Sequence, residues 1–442
     1  MKKYDSYKDS SIEWIGDVPS HWESWKISHA FNRIGSGTTP ESGNPIYHEN
    51  GTINWLNTGD LNDGVLDSCS KKITTKALND YSSLKLFPTG SLVMAMYGAT
   101  IGKTAILNFE TTTNQACCVF CDSSIIDLKF LQYWFIGNKE QIINLAIGGG
   151  QPNISQNILK VIRVWCPDYS EQGSLTKFLD HKTSQIDHLI AKKEQFIQLL
   201  EEERVAVINQ AVTKGLDLTV PIKDSGIEWL GEIPEHWESY RIDWVAKIVR
   251  GNTGFRKDEL LDSGEYVALQ YGKTYKVDIV DNSFNFFVNS EFYKESQIVT
   301  KGDTILISTS ETIEDLGHTC YYINENKGLL GGEQILLKPN RTVLYEKYLY
   351  QYARQFCREL QKYAKGLKVF RFSTHDLKQI FIAIPTIEEQ IKIVDFLDLE
   401  TIRIDSLTSK MGKEIELLKE YKTSLISEVV TGKLDIRNEK LN

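Results

Sequence analysis

The sequence of 442 residues has no long apolar run, no excess of basic residues and only seven cysteines, which are scattered. A membrane-spanning helix needs about 18 or more consecutive apolar residues, so this class of protein is excluded. The first residues lack an apolar signal region, and scattered cysteines are typical of a reducing compartment, so we expect a cytoplasmic protein without membrane association. The net charge of −9 argues against a simple basic nucleic-acid binder, and the 41% of hydrophobic residues excludes a disordered chain.

What the sequence does contain is an internal repeat. Residues 8–27 and 223–242, the first and second tryptophan segments, are identical at 13 of 20 positions. Residues 171–217 and 389–435 form a second matching pair. A fainter match between these anchors aligns Asn114-Gln115 with Glu333-Gln334, and Ser155 with Ser373. The chain is therefore two copies of one unit of about 218 residues.

The order of the repeated segments predicts that the two ends of the chain meet. The second tryptophan segment directly follows a helix that ends near Gly215, whereas no helix precedes the first one. The equivalent helix ends near Gly432, at the other end of the chain. We therefore expect a cyclic arrangement with pseudo-two-fold symmetry, in which domains and helices alternate.

Each repeat ends in a predicted helix of about 40 residues, or about 60 Å. Asp168 and Thr386 are each followed three residues later by Glu, which predicts two capping boxes, and the glycines near 215 and 432 are expected to end the helices. Apolar residues at spacings of 3, 4 and 7 give each helix one stripe, so we expect an antiparallel coiled coil. Lys193 interrupts the stripe of the first helix. The alternative is one long helix packed on a globular core.

The regions between these anchors mix strand and helix signals, so the predicted fold class is α+β, with two tandem α/β domains separated by the two long helices. Shorter helices are expected at about 127–145 and 343–364. The predicted segments are an N-terminal scaffold (1–20), a first domain (21–167), a central helical spacer (168–235), a second domain (236–385) and a C-terminal helical spacer (386–442).

The negative charge is concentrated in the helical segments. Residues 168–235 contain 7 basic and 13 acidic side chains, and residues 386–442 contain 9 and 12. The two predicted domains are close to neutral, with 11 and 11 in the first and 20 and 19 in the second. The domains are therefore free to carry local basic surfaces despite the acidic total.

One basic surface is predicted in the second domain. Arg354, Arg358, Lys362 and Lys365 are spaced by 4, 4 and 3 residues and would share one face of a helix, and further cations at 368 and 371 continue the run. Such a stripe suits a row of phosphates, although a solvated outer face is the alternative. The first domain has 148-GGGQPN-153 at the corresponding place. Glycines would let the backbone approach a ligand closely, and the Gln and Asn side chains can pair with adenine. Here the alternative is a flexible turn.

Two motifs resemble catalytic or metal sites without meeting their requirements. Gly98–Thr104 is one residue too short for a phosphate-binding loop and is followed by a predicted strand, not a helix. The CxxC motif of Cys118–Cys121 has no second pair of ligands, and its pattern favours a buried strand. No nucleophile motif, dinucleotide fingerprint or methyltransferase tetrapeptide is found, so two recognition domains are favoured over one active site.

Several of these features together resemble a known family. They are the duplicated tryptophan segment, INWLNTGDL at Ile53–Leu61, GATIGKTAI at Gly98–Ile106, QPNIS at 151–155, and the P…EQ…FLD start of each long helix. Over essentially its whole length the chain resembles the DNA specificity subunits of type I restriction–modification enzymes. The second domain departs from the pattern, because Asp315–Thr319 replaces the ATIGKT sequence.

The resemblance implies a non-catalytic subunit in which each middle region is a target recognition domain for one half of a split DNA sequence. The coiled coil would set the gap between the halves and dock two modification subunits, which use S-adenosylmethionine to methylate adenine. Restriction subunits that use ATP and Mg²⁺ would join them, and the chain itself would bind no cofactor or metal. Because the two middles differ, we expect an asymmetric bipartite target. Two alternatives stay open: an adaptor whose duplicated domains bind protein, and an enzyme with a nucleotide site at Gly98–Thr104.

The candidate DNA contacts are polar loop residues in the first domain and mainly cations in the second. In the first domain they are Ser36, Thr38, Thr39, Asn57, Thr100, Lys103, Gln151, Asn153 and Ser155, and in the second Arg256, Lys257, Gln270, Tyr271, Lys273, Arg354, Arg358, Lys365, Lys368 and Arg371.

Overall fold

The computed structural model describes residues 2–146, 153–366 and 368–439. The chain folds as two compact units, of which unit 1 is Met1–Glu194 with Gly412–Asn442 and unit 2 is Gln195–Met411. Unit 1 thus contains both ends of the chain, as the order of the repeats predicts. Within the described ranges, no helix combines the length and the apolar character that crossing a membrane requires.

The described residues of unit 1 form twelve strands and six short helices, followed by the first long helix. The strands are β1 (Tyr7–Asp9), β2 (Asp17–Pro19), β3 (Glu23–Lys26), β4 (Arg33–Gly35), β5 (Ile53–Leu56), β6 (Val65–Leu66), β7 (Lys72–Ile73), β8 (Leu92–Ala95), β9 (Thr104–Leu107), β10 (Thr112–Thr113), β11 (Cys117–Cys121) and β12 (Arg163–Cys166). The helices are α1 (Ile27–Ala30), α2 (Pro45–His48), α3 (Thr75–Asp80), α4 (Leu128–Gly137), α5 (Lys139–Asn144), α6 (Gln156–Val161) and α7 (Tyr169–Lys214), whose last residues belong to unit 2.

Unit 2 repeats this plan with additional short strands. Its strands are β13 (Ile222–Asp224), β14 (Glu232–Pro234), β15 (Glu238–Arg241), β16 (Ala246–Arg250), β17 (Tyr266–Leu269), β18 (Ile279–Val280), β19 (Phe287–Val288), β20 (Ile298–Val299), β21 (Thr304–Ile307), β22 (Thr309–Ser310), β23 (Thr319–Tyr322), β24 (Gly328–Leu330), β25 (Gln334–Pro339), β26 (Phe370–Arg371) and β27 (Phe381–Ile384). Its helices are α8 (Ile242–Val245), α9 (Tyr271–Thr274), α10 (Glu346–Leu360), α11 (Thr374–Leu377) and α12 (Ile387–Val430), whose last residues belong to unit 1.

Each unit contains its own central five-stranded sheet, and the strand order is the same in both. The five-stranded order β4-β11-β8-β9-β6 in unit 1 matches β16-β25-β21-β23-β18 in unit 2. In both sheets only the last pair is parallel, β6 with β9 and β18 with β23. The middle strands β8 and β11 are buried along their whole length, which explains their continuous apolar sequences. The predicted α+β fold with two tandem domains is confirmed.

The sheet register corrects one alignment made from the sequence. Cys117 pairs with Ala95, the last residue of β8, and Gln334 pairs with Ile307, the last residue of β21. These two pairs occupy the same place in equivalent sheets, so the predicted alignment of 114–115 with 333–334 is wrong by two residues. Because this match is faint, the sequence alone could not fix the register.

The two long helices pack antiparallel inside each unit. In unit 1, Lys422 Nζ lies 2.7 Å from Asp187 Oδ1, and Lys193 Nζ lies 2.5 Å from Glu414 Oε2. Residue numbers rise along α7 as they fall along α12, which defines the antiparallel direction. In unit 2, Arg403 Nη2 of α12 lies 2.6 Å from Glu203 Oε1 of α7, so the two helices are also paired there. The predicted antiparallel coiled coil is confirmed, and Lys193, which interrupts the apolar stripe, forms a cross-helix ion pair.

Side chains at the start of each long helix anchor the tryptophan segments. Asp168 accepts a hydrogen bond from the Glu171 amide, so the cap is present, but the Glu171 carboxylate accepts from the Tyr4 hydroxyl at 2.8 Å instead of returning to the cap amide. Its other oxygen lies 2.9 Å from His21 Nε2. In unit 2, His236 Nε2 lies 3.0 Å from Glu389 Oε2. The Glu389 amide donates to the Thr386 hydroxyl at 3.3 Å, so only the first half of each predicted capping box is found among the described contacts.

The next residue of each helix holds the neighbouring domain. The buried Gln172 side chain accepts from the Asp127 amide at 2.8 Å and donates to the carbonyls of Ile125 and Pro167 at 2.8 and 2.9 Å. Gln390 makes the same three bonds in unit 2, to the backbone of Tyr345, Val343 and Pro385 at 2.7, 3.0 and 2.9 Å. About two turns further on, Asp180 and Asp398 pair with lysines of α4 and α10. These contacts give a structural reason for the EQ…FLD pattern in both repeats.

Both long helices end on a glycine beside a tryptophan. Gly215 and Gly432 have φ values of +74° and +71°, the left-handed conformation that the sequence predicts at these positions. A Cβ atom on Gly432 would lie 2.3 Å from Pro19 Cδ, so the C-terminal end of α12 is packed on the first tryptophan segment. The Asp435 amide also donates to the Lys2 carbonyl at 2.8 Å. The predicted meeting of the chain ends therefore occurs inside unit 1.

The two shorter helices differ from their predicted bounds. The segment predicted at 127–145 is divided into α4 and α5 at Asn138, whose side chain donates to the Trp134 carbonyl at 2.8 Å. The helix predicted at 343–364 begins at Glu346 and ends at Leu360, where a 3₁₀ turn over Gln361–Tyr363 follows.

Candidate nucleic-acid interface

Polar residues of unit 1 meet where the central sheet ends. The Thr39 hydroxyl donates to Gln115 Oε1 at 2.7 Å, and the Thr38 carbonyl accepts from the Trp55 ring nitrogen at 3.1 Å. Ser36 is half-buried directly after β4. The loop that contains Ser36, Thr38 and Thr39 is therefore tied to the segment after β10, and three predicted residues share one surface.

Asn57 lies on the same surface, but its side chain is engaged by the protein. Its Oδ1 accepts from Asn114 Nδ2 at 3.1 Å, and its Nδ2 donates to the Trp55 carbonyl at 3.0 Å. The Asn57 amide also donates to Asp60 Oδ2 at 2.9 Å. This residue is placed to hold the loop that follows β5, and one amide hydrogen is left for any further contact.

The other predicted residues of unit 1 surround the loop between β8 and β9. Asn153 forms a β-bridge with Tyr97, and Ser155 caps α6 by accepting from the Ile158 amide at 3.3 Å. Thr100 and Lys103 belong to the turn between Tyr97 and β9, with the Lys103 amide donating to the Thr100 carbonyl at 2.9 Å. Gln151 and the glycines before it lie outside the described residues.

The predicted basic stripe of unit 2 does not form one helical face. Arg354 and Arg358 lie on α10, but the helix ends at Leu360, so Lys362 lies in a 3₁₀ turn and Lys365 beyond it. Lys362 pairs with Glu359 at 2.6 Å. The prediction of four aligned cations is therefore wrong, because it assumes a helix one turn longer than the chain forms.

Arg354 and Arg358 instead line a groove against an acidic loop. Its other wall includes Glu314, Asp315 and His318. The Arg354 guanidinium lies 5.8 Å from the centre of the Tyr350 ring and is half-buried, whereas Arg358 is exposed. Arg358 is therefore better placed for a ligand than Arg354.

Lys365 and Arg371 come together in a second basic cluster. Their backbones exchange two hydrogen bonds of 3.0 Å, and Lys368 is exposed in the bend between them. Lys365 and Arg371 line a pocket together with Arg250, Glu333 and Asp376, and Glu333 Oε2 lies 3.9 Å from Arg371 Nε. The pocket therefore gathers three cations and two carboxylates, those of Glu333 and Asp376.

The remaining predicted residues of unit 2 surround α9. Arg256 and Lys257 are exposed in a 3₁₀ turn, and Gln270 Nε2 donates to the Phe255 carbonyl at 3.4 Å, which joins the two segments. Lys273 Nζ lies 4.2 Å from the centre of the Phe286 ring. Burial raises the pKa of Tyr271, and the carboxylates at 311, 333 and 315 raise it further, which places its hydroxyl beside an acidic region.

Residues near the ends of central strands in both units were missed from the sequence. Thr309 donates to the Glu333 carboxylate, and Arg250 at the end of β16 faces the same pocket. In unit 1, Tyr97 bridges to Asn153. Each lies at the end of a central strand, so strand ends combined with the correct register could have identified them.

The alternative sites receive no support from the geometry. Within the described ranges, no group of three or more His, Cys, Asp or Glu side chains could hold a metal. The Thr104 hydroxyl, which a phosphate-binding loop would direct at a metal ion, donates to Asp63 Oδ1 at 3.1 Å, and β9 begins at this residue, as predicted. Cys117–Cys121 form a buried strand, also as predicted, and burial raises the pKa of the Cys118 thiol to about 12.

Comparisons with known proteins identify the fold and the family. A family model described as the type I restriction modification DNA specificity domain matches residues 19–199 and 234–417. The MjaVIII type I restriction enzyme specificity subunit of Methanocaldococcus jannaschii is 24% identical over 439 residues, which are 95% of each chain. A chain from a structure of the type I R-M system aligns with a TM-score of 0.72 at 15% identity, covering 94% of this chain and 99% of that one. The HsdS subunit from Thermoanaerobacter tengcongensis aligns with a TM-score of 0.56 at 15% identity, covering 94% and 98%. These likenesses show a shared fold, and the matched residues show that the chain belongs to the family of type I restriction modification DNA specificity domains, of which it contains two copies.

Proposed function

We propose that the chain is the DNA specificity subunit of a type I restriction–modification enzyme and that each unit reads one half of an asymmetric bipartite target. The main support for this proposal is that the two units contain equivalent sheets whose ends present different side chains. Where unit 1 has Tyr97 and Asn153, unit 2 has Thr309 and Arg371 at the bridged positions. A common frame with different polar groups suits two half-sites of different sequence. Residues 21–167 and 236–385 are the proposed recognition domains.

The proposed contacts divide by chemistry. The exposed cations Arg358, Lys365, Lys368 and Arg371 suit phosphates, which fix the position of a protein on the duplex. The amide and hydroxyl groups of unit 1 suit base edges, because they can both donate and accept hydrogen bonds. The candidates Ser36, Thr38, Thr39, Thr100, Lys103, Gln151, Asn153, Ser155, Arg256, Lys257, Gln270, Tyr271, Lys273 and Arg354 remain proposals, and Asn57 is proposed as a residue that positions its loop.

The proposed role of the long helices is to set the gap and to dock partners. α12 exposes Leu399 and Ile402, at 68% and 66%, and large exposed apolar side chains on a helix suit a protein interface. The acidic helical segments would also attract basic partner surfaces. We propose two docked modification subunits that carry S-adenosylmethionine and methylate adenine, and restriction subunits that carry ATP and Mg²⁺. The chain would then act in the cytoplasm, bind no cofactor and perform no catalysis.

Sequencing of methylated adenines tests the proposed target directly. The chain and its modification subunits would be expressed together in a host that lacks other adenine methyltransferases. We expect one motif with two different halves separated by a gap of fixed length. A continuous or palindromic motif would contradict the proposal, and loss of methylation when the chain is omitted is the control.

Salt dependence tests the proposed phosphate contacts separately. Replacing Arg358 by Ala should reduce the slope of log affinity against log salt by about one, because one phosphate contact releases about one counterion. Lys301, another exposed cation of unit 2, which pairs with Glu325 at 2.6 Å, provides the control. An unchanged slope for Arg358→Ala would remove this residue from the interface.

A further inference from the structure

Glu333 has a backbone conformation that favours glycine. Its φ is +61°, in the left-handed region, and it follows Gly331 and Gly332. A glycine at 333 would adopt this conformation without strain, whereas a side chain there is disfavoured. The position is fixed on both sides, because the Glu333 carbonyl accepts from the Ser308 amide at 3.1 Å and the buried Gln334 side chain donates to the Leu269 carbonyl at 2.9 Å. Strain that is retained at a fixed position points to a role for the side chain.

The carboxylate of Glu333 is oriented but remains accessible. One oxygen accepts a hydrogen bond from the Thr309 hydroxyl, and Arg371 Nε is 3.9 Å from the same oxygen. The side chain is 48% exposed. In the part of the chain that the structure describes, the other oxygen has no hydrogen-bond donor. Thr309 therefore fixes the direction of the carboxylate while leaving one oxygen for a ligand.

The surroundings identify the kind of ligand. Arg250, Lys365 and Arg371 line the pocket with Glu333 and with Asp376, whose Oδ2 accepts from the Ser373 amide and hydroxyl, so the pocket keeps a net positive charge that attracts a polyanion to its rim. A carboxylate within such a rim repels a phosphate but accepts a hydrogen bond from an amino group. Duplex DNA combines both properties, since phosphates flank exocyclic amino groups in the major groove. The equivalent residue of unit 1 is the buried Ala116, which cannot make this contact.

We propose that Glu333 is a specificity-determining residue that accepts a hydrogen bond from the exocyclic amino group of a cytosine or adenine in the half-site of unit 2. Lys365 and Arg371 then hold the neighbouring phosphates. This proposal rests on the proposed function, and it adds a defined requirement at one base. At that base guanine O6 or thymine O4 is rejected, because a carboxylate and a keto oxygen are both acceptors.

The test uses two variants of Glu333 in the full chain, purified together with its modification subunits. Glu333→Gln keeps the shape of the side chain and adds a donor. Glu333→Gly removes the side chain and relieves the backbone, so folding is preserved. Glu265→Gln, which alters an exposed carboxylate elsewhere in unit 2, is the control. The probes are a pool of duplex oligonucleotides with randomised bases, followed by the enriched duplex with each base pair replaced in turn.

We expect both Glu333 variants to enrich the same unit 1 half-site and the same gap as the wild type. At one position of the other half-site, the preference for the amino base over a keto base should fall about ten-fold. Unchanged preferences in both variants would overturn the role of Glu333 and leave the proposed function standing. Failure of the wild-type complex to enrich any bipartite sequence would instead overturn the proposed function, so the two failures can be told apart.

Discussion

Gln172 offers a direct test of how a recognition domain is held on its helix. The side chain is fully buried and makes three hydrogen bonds, all to backbone atoms of residues 125, 127 and 167. Replacement by Met keeps a similar length and volume but removes every one of these bonds. Gln390→Met is the matched change in unit 2, where the same three bonds are made.

The expected cost follows from the number of bonds. A neutral hydrogen bond inside a protein contributes about 1 kcal/mol, so three lost bonds destabilise the contact by about 3 kcal/mol. Groups that are left unpaired in the interior raise this cost, while the removal of a buried amide lowers it. Because a domain is stable by only about 5–15 kcal/mol, the change is large for one unit. Gln185→Met, on an exposed turn of the same helix, should change stability by less than about 0.5 kcal/mol.

Hydrogen exchange measured by mass spectrometry resolves the two units. Gln172→Met should accelerate exchange of the amides at the start of α4 by about a hundred-fold and leave the start of α10 unchanged, since 3 kcal/mol corresponds to about that factor. Gln390→Met should do the reverse. Equal acceleration in both units, or none in either, would refute the reasoning that each glutamine anchors only its own domain.

Two further predictions concern the chain ends and the thiols. In urea unfolding, Gly432→Ala should destabilise unit 1 by about 2–5 kcal/mol, because a left-handed φ is combined with overlap of the new Cβ with Pro19. Gly226→Ala is the control, since its φ of +69° is similar but the space around it is open, and it should cost only about 1–2 kcal/mol. Equal costs for the two variants would contradict the predicted overlap with Pro19. Iodoacetamide at pH 8 should modify the half-buried Cys69 first and leave the six buried thiols unmodified until denaturant is added. Burial raises the pKa of Cys69 as well as that of Cys118, so the expected difference comes from the accessibility of the sulfur atoms. Rapid native labelling of Cys118, detected by peptide mass spectrometry, would contradict this.

The large-scale plan of the molecule could be predicted because repetition and periodicity are properties of long segments. The duplicated tryptophan segments, the apolar stripes of α7 and α12 and the terminal glycines all indicate the observed arrangement. The buried CxxC strand was also predicted correctly, since the short apolar run that indicates it is local. These features do not depend on where any one loop lies.

The candidate interface could be predicted only in part, because it depends on loop geometry and on exact helix ends. The prediction of a basic stripe on one helix was wrong, because α10 ends at Leu360, about one turn before the predicted end. Asn57 was predicted as a DNA contact, but its carboxamide is engaged by the Trp55 carbonyl and by Asn114, which is distant in sequence. Glu333 was missed because its conformation and its contact with Thr309 arise from sheet register. Such long-range pairings are not encoded in any short motif.

The way the domains are anchored explains how one frame can carry two different recognition surfaces. Every hydrogen bond of Gln172 and of Gln390 goes to a backbone atom, and backbone atoms are the same whatever side chains the domain carries. The neighbouring glutamates bind His21 and His236, which belong to the repeated tryptophan segments and not to the divergent middles. The anchoring therefore places almost no constraint on the residues at the sheet ends. A change such as Ala116 in one unit and Glu333 in the other can alter what is read while leaving the position of the domain on its helix unchanged.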